Sequence, residues 1–216
     1  MSDDSAALIC VIDDDAEMRG SLDSLLRSAG LRVLTFESPE DYLACEESEQ
    51  AACLILDIQL KESSGLDFQQ QLIDGEVRVP VILMTGHGDI PMTVRGMKAG
   101  AVTFLSKPFD EDAMLAAIGE AVALDRGRRA ADGQADGLRA LYQTLTPRER
   151  EVMALVTAGL MNKQVAARLD LSEITVKIHR GNLMRKMKAQ SLADLVRMAE
   201  LLGARETGAA RFGAAR

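Results

Sequence analysis

Cysteine, internal repetition and long apolar runs are all scarce in this 216-residue sequence. The three cysteines, Cys10, Cys45 and Cys53, have no paired spacing of the kind that holds a metal. Cys10 and Cys53 lie inside apolar runs, where a thiol reads as a small buried hydrophobe, and this usage fits a reducing compartment. No apolar run approaches the ~20 residues that cross a bilayer, so no membrane association is expected. The chain opens on Asp3 and Asp4 rather than a basic segment. An export signal is therefore not expected, and the cytoplasm is the expected location. No internal repeat is found.

What is present is ordinary in sum and uneven in distribution. Hydrophobic residues make up 47% and charged residues 27%, proportions that suit globular domains. The net charge of −8 conceals two halves of opposite sign. Residues 1–125 carry 24 Asp/Glu against 8 Lys/Arg, and residues 126–216 carry 9 against 17. An acidic half beside a basic one suggests a nucleic-acid-binding domain joined to something else.

Residues 8–125 alternate between short apolar runs and helical stretches. The runs 8–12, 31–35, 53–56, 79–84 and 101–105 predict strands. The stretches 16–29, 39–46, 65–74, 89–98 and 110–125 predict helices. Gly30 and Gly100 follow two of these helices where a left-handed cap is wanted. Five such units with near-continuous apolar strands predict an α/β domain over 6–125, with a doubly wound, five-stranded parallel sheet covered on both faces. Residues 126–144 are rich in Arg, Ala, Gly and Asp without a clear apolar stripe. They read as a linker, or as an extension of the preceding helix broken near Gly133 and Gly137. Beyond it, Thr146-Pro147-Arg148-Glu149 forms a capping box with proline at the first helical position. The pattern then predicts a small all-α domain over 145–204 with four helices, 147–158, 162–169, 173–187 and 191–202. A frayed Ala/Gly/Arg-rich end follows.

In a parallel sheet, ligands bind beyond the carboxyl ends of the strands. The polar residues at those ends are Asp13-Asp14-Asp15, Asp57, Thr85-Gly86 and Ser106-Lys107-Pro108. Carboxylates brought this close repel one another unless a cation intervenes, which implies a hard, oxygen-loving ion such as Mg²⁺. Lys107 and Thr85 suit the oxygens of a phosphoryl group. Asp57, alone at its strand end, is then the nucleophile. Any one of these residues could be a mere loop cap; five at the appropriate strand ends point to a site.

The stretches CVIDDD, LILDIQL, VILMTGHGDIPM and GAVTFLSKPF resemble the receiver domain of two-component response regulators, particularly the FixJ branch, which has the flavodoxin-like fold. The resemblance implies that a sensor histidine kinase phosphorylates Asp57. It implies that Asp13, Asp14 and Asp57, with the Gln59 carbonyl, hold Mg²⁺. It also implies that Thr85 and Lys107 read the phosphoryl group, that Phe104 is an aromatic switch residue, and that the Lys107–Pro108 bond is cis. Leu60-Lys61 departs from the usual Met-Pro after the phosphorylated strand.

In the basic half, residues 162–186 read as helix, turn and helix, with Ser172 capping the second helix. At 100° per residue, Val176, Leu183, Met184 and Met187 share one face of that helix. Ile174, Ile178, Gly181 and Arg185 lie opposite, flanked by Lys177 and Asn182. An apolar Ile178 on an exposed polar face has a purpose if it meets a thymine methyl in the major groove. TPREREVMALV, GLMNKQVAARLDLSEITVKIHRGNLMRKM and SLADLVRMAELL resemble the LuxR-type helix-turn-helix domain of FixJ/NarL-type regulators. The resemblance makes Ser172–Lys186 the recognition helix and sets Lys177, Ile178 and Gly181 toward the groove, although Gly181 lacks the long side chain some relatives carry. Thr175, His179, Arg180, Asn182 and Arg185, with Asn162 and Lys163, become candidates for phosphate or groove contacts.

The expected function is thus a phosphorylation-switched transcription regulator, not an enzyme. Its expected partners are a sensor histidine kinase, promoter DNA, RNA polymerase and a second copy of itself when phosphorylated, through the face of the fourth helix and fifth strand, on and around which Ile90, Met92, Val94 and Met97 lie. A phosphatase of the haloacid-dehalogenase type would want an acid/base Asp where Gln59 stands. A phosphorylation-independent binding module would not need the intact Asp13, Asp14, Asp57, Thr85 and Lys107 set.

Overall fold

The structure, a computed structural model, describes residues 6–61, 63–86 and 90–204. The chain divides into two compact units, with the boundary between Arg129 and Ala130.

The first unit contains β1 (Leu8–Ile12), α1 (Ala16–Ser28), β2 (Arg32–Phe36), α2 (Pro39–Ala44), a 3-10 turn (Glu46–Gln50), β3 (Cys53–Asp57), α3 (Gly65–Asp74), β4 (Val81–Thr85), α4 (Ile90–Lys98), β5 (Thr103–Ser106) and most of α5 (Glu111–Gln143). All strands pair in parallel in the order β2-β1-β3-β4-β5. β1, β3 and β4 are buried along their whole length, which explains their unbroken apolar sequences. Their alternate residues feed two separate clusters. Cys10, Ile12, Leu54, Leu56 and Leu83 meet Tyr42, Leu66, Phe68 and Leu72 from α2 and α3. Ile9, Val11, Ile55, Ile82 and Met84 meet Leu22, Leu26, Met114 and Ile118 from α1 and α5. Each fully buried large side chain contributes about 1.5–3 kcal/mol, so these two layers hold the sheet's register. Gly30 and Gly100 do take positive φ after their helices, at 79° and 88°. Asp89, the expected start of the fourth helix, lies outside the described residues.

The second unit holds the end of α5, then α6 (Pro147–Thr157), α7 (Asn162–Leu169), α8 (Glu173–Lys186) and α9 (Leu192–Leu201). Val152, Met153, Val165, Val176, Leu183, Met187 and Leu195 form its core. The capping box read at Thr146 is made: Thr146 Oγ1 accepts from the Glu149 amide, and Glu149 Oε2 accepts from the Thr146 amide.

One expectation is corrected. The segment 126–144 does extend the fifth helix, up to Gln143, but the break expected near Gly133 and Gly137 is not made; α5 runs unbroken through both glycines. Each costs about 0.5–1 kcal/mol relative to alanine. Offsetting interactions lie on either side, in the Asp125–Arg128, Asp125–Arg129 and Asp136–Arg139 pairs at helical spacing. Further along, Leu138, Leu141 and Tyr142 seat the last turns on the second core.

Candidate functional site

β1 and β3 are neighbours at the point where the strand order reverses, so the loops after them open a crevice at the carboxyl edge. Asp13 follows β1, and Asp57 is the last residue of β3. Asp13, Asp14 and Asp57 each present a carboxylate oxygen, and these oxygens lie within 4.8 Å of one another. Asp13 is fully buried, Asp57 is buried with 5% exposure, and Asp14 is half-buried. An all-oxygen set of this size suits a hard divalent cation.

Lys107 crosses from the loop after β5 and donates to Asp13 Oδ2 at 2.7 Å and to Asp57 Oδ2 at 3.0 Å. Its backbone N–H donates a hydrogen bond to the Thr85 carbonyl at 2.7 Å, and the following Lys107–Pro108 peptide is cis. Burial pushes the Asp57 carboxyl above its usual range, and nearby Asp13 adds to the rise, while Lys107 and the Gln59 amide oppose it. For Lys107, burial acts downward but the bonds to Asp13 and Asp57 outweigh it, so its ammonium titrates above the usual lysine range. The pocket therefore holds more negative charge than it can solvate, with one lysine compensating.

The other expected residues fall around this centre. The Gln59 amide donates to Asp57 Oδ1 at 3.4 Å. Thr85 is buried at the end of β4, and Phe104 on β5 is half-buried against the cluster that includes Leu83. The unusual Lys61 places its ammonium 3.6 Å from Asp14 Oδ2. One positioning residue escaped the sequence reading. Gly65 begins α3, and a Cβ there would lie 2.1 Å from the Asp57 carbonyl oxygen. The Gly65 amide donates to the Ile58 carbonyl at 2.9 Å, closing the loop back onto the strand. A lone glycine at a helix start carries no such signal in sequence.

In the second unit, the register of α8 agrees with the periodicity. Val176, Leu183 and Met187 are buried, and Met184 packs on the same core. Ile174 and Ile178 are 74% and 58% exposed. Lys177, Gly181 and Arg185 are exposed with them, while Thr175, His179, Arg180 and Asn182 are half-buried. Ser172 caps the helix by accepting from the Thr175 amide at 3.1 Å. Lys163 is exposed on α7, whereas Asn162 is half-buried and its Oδ1 accepts from Arg180 at 3.1 Å. That bond joins α7 to α8 and occupies part of the Arg180 guanidinium. Arg185 likewise donates to Asn182 Oδ1 at 2.9 Å.

Known proteins carry the same two-part arrangement. Residues 9–119 match the response regulator receiver domain, and residues 143–199 match the bacterial regulatory proteins of the luxR family. Nodulation protein W of Bradyrhizobium diazoefficiens is 53% identical over 197 residues, covering 91% of this chain and 87% of that protein. The transcriptional regulatory protein FixJ of Rhizobium meliloti is 42% identical over 189 residues, covering 88% and 93%. The solved structure of the response regulator StyR is 45% identical, with a TM-score of 0.82, over 91% of this chain and 99% of that one. No described helix is long and apolar enough to cross a membrane. The chain therefore belongs to the two-component response regulators with a LuxR-type DNA-binding domain, a family of transcriptional regulators rather than enzymes.

Proposed function

We propose that this regulator is switched by transfer of a phosphoryl group from a sensor histidine kinase to Asp57, and that the phosphorylated chain dimerises and binds promoter DNA. The observation that carries the reading is the convergence of Asp13, Asp14, Asp57 and Lys107 on one crevice.

An Asp57 carboxylate oxygen attacks the phosphorus of the phosphohistidine, the P–N bond breaks, and its electron pair returns to the imidazole nitrogen. Asp13, Asp14 and Asp57, with the Gln59 carbonyl, fit Mg²⁺, which supplies positive charge to the phosphoryl oxygens when bound. Lys107 is already at Asp57 and neutralises a phosphoryl oxygen; the Thr85 hydroxyl suits a second one. The switch then has a physical basis. Asp57 gains charge and oxygens, Lys107 is drawn from Asp13 toward them, and Thr85 and Phe104 adjust on neighbouring strands.

The dimer face proposed for the phosphorylated form comprises α4 and β5; on α4, Ile90, Val94 and Met97 are exposed while Met92 packs inward. On DNA, Lys177 and Ile178 read base edges, and Gly181 admits close approach. Lys163, Arg185, Thr175, His179, Arg180, Asn182 and Asn162 serve phosphate or groove contacts. A dimer of such domains takes two half-sites about one helical turn apart. RNA polymerase is the expected downstream partner, and the cytoplasm the expected compartment.

The test combines acetyl phosphate, Mg²⁺ and the purified chain. An acid-stable but base- and hydroxylamine-labile label on Asp57, with a larger sedimenting species and tighter duplex binding, is expected. Labelling without any change in oligomer or DNA affinity would contradict the switch.

A further inference from the structure

We infer that Lys186 is a positioning residue which clamps the recognition helix to the end of the connecting helix α5, and that it makes no contact with DNA. The inference rests on the DNA-binding reading of the second unit and adds a role which that reading does not assign.

By sequence, Lys186 is one more cation on a basic helix, next to the proposed phosphate contact Arg185. The structure uses it differently. Its ammonium donates to Glu149 Oε2 at 2.7 Å and to the Thr144 carbonyl at 3.2 Å. The Glu149 side chain is only 4% exposed, and the same Oε2 accepts from the Thr146 amide at 2.8 Å. One buried oxygen thus joins the last residue of α8 to the first turn of α6.

The contact with Thr144 extends the clamp to α5. A helix leaves its last carbonyls without intrahelical partners and carries partial negative charge there, which favours cations. Two cations answer at the end of α5. Arg150 donates to the Gln143 carbonyl at 3.2 Å while its guanidinium lies 5.1 Å from the centre of the Tyr142 ring. Lys186 takes the next carbonyl. Arg150 sits on α6, whereas Lys186 ties the recognition helix itself to this end by a polar contact, beside the apolar packing of Leu138, Leu141 and Tyr142. Removing it would leave Glu149 buried without its charge partner and free the C-terminal turn of α8 to shift against α5. Base contacts tolerate such shifts poorly, because a side chain must meet a base edge within hydrogen-bond or van der Waals distance.

The experiment uses the full chain and two duplexes, one enriched from random sequence by the unsubstituted protein and one scrambled. Binding is measured across a KCl series, at a temperature below the melting transition of every variant. Lys163→Ala is expected to lower the salt slope by about one unit on both duplexes. Lys186→Met is expected to leave the slope unchanged and to cut the affinity ratio between the duplexes roughly tenfold, the scale of one lost base contact. A slope lowered by about one unit in Lys186→Met would make Lys186 a phosphate contact and overturn the inference. An unchanged ratio would overturn it as well. Failure of the underlying reading looks different: the unsubstituted protein then enriches no duplex. In that event urea denaturation of Glu149→Gln, Lys186→Met and the double variant still reads the clamp, which is present if the effects are non-additive and absent if they add.

Discussion

In the first unit the proposed phosphoryl-accepting Asp57 and its neighbour Asp13 are buried at the end of a parallel sheet, whereas in the second the proposed base-reading Lys177 and Ile178 are exposed on α8. Asp13 and Asp57 sit where water cannot solvate them fully, and Lys107 bridges both. Ile178 and Lys177 touch little of their own domain. Burial makes the acidic pocket a coupled system, in which changing one member alters the electrostatics of the rest. Exposure makes the recognition face separable, so a side chain can be removed with little effect on folding. Substitutions in the two units should therefore differ in kind.

The largest effect is expected at Asp57. Asp57→Asn lacks the attacking carboxylate and should abolish Mg²⁺-dependent labelling, whereas Asp13→Asn or Lys107→Ala should impair it or uncouple it from DNA binding. Autoradiography with labelled acetyl phosphate checks this. A label persisting in Asp57→Asn, on a base-labile bond, would break the assignment. Gly65→Ala comes next, because its Cβ would meet backbone rather than a yielding side chain. A loss of about 1–3 kcal/mol in urea denaturation is expected, with slower labelling of Asp57 in the same protein. That pairing of stability with chemistry is what the buried site predicts.

The exposed site predicts the opposite separation. Ile178→Ala and Lys177→Ala should each lose roughly 1–3 kcal/mol of discrimination between duplexes with little change in melting temperature. Arg185→Ala should instead weaken binding to every sequence and lower the salt slope by about one unit. Replacing a contacted thymine by uracil should mimic Ile178→Ala and have no additional effect in that variant. If Ile178→Ala unfolded the domain and left preference intact, the register of α8 would be wrong.

Smaller effects sharpen the contrast within the second unit. Glu149 is opposed by burial, but its bonds to Lys186 and Thr146 prevail and hold its carboxyl below the usual 4.5. A depressed folded-state pKa contributes stability that is complete above the unfolded value and fades as pH falls through the folded one. The melting temperature of the second unit should thus drop in acid, starting below about pH 4.5, and Glu149→Gln should flatten that dependence. The smallest change is expected in α5. An added Cβ at Gly133 or Gly137 meets nothing within 4 Å beyond the helix's own neighbouring backbone, so either alanine should stabilise the helix by about 0.5–1 kcal/mol. A loss of stability instead would mean the helix needs its glycines.

Much of this was legible in the residues for definite reasons. Strands buried on both faces read as apolar runs, and their polar endings, Asp13, Asp57, Thr85 and Lys107, stand out against them. In α8 the turn angle alone separates Val176 and Leu183 from Ile178 and Lys177. Residues 126–144 misled because composition averages over the segment, while the structure depends on spacing. Asp125 lies three and four residues before Arg128 and Arg129, and Leu138 lies three and four residues before Leu141 and Tyr142. Gly65 and Lys186 were hidden for another reason. Gly65 acts through the backbone carbonyl of Asp57, and Lys186 through Glu149, 37 residues away, and the sequence does not mark either pairing.

Comparing duplex binding by the unsubstituted chain and by Asp57→Asn, each with and without acetyl phosphate and Mg²⁺, tests the central claim most directly. The account predicts that the phosphodonor tightens binding of the unsubstituted protein and leaves Asp57→Asn unchanged. Equal tightening in both proteins, or none in either despite a label on Asp57, would contradict it.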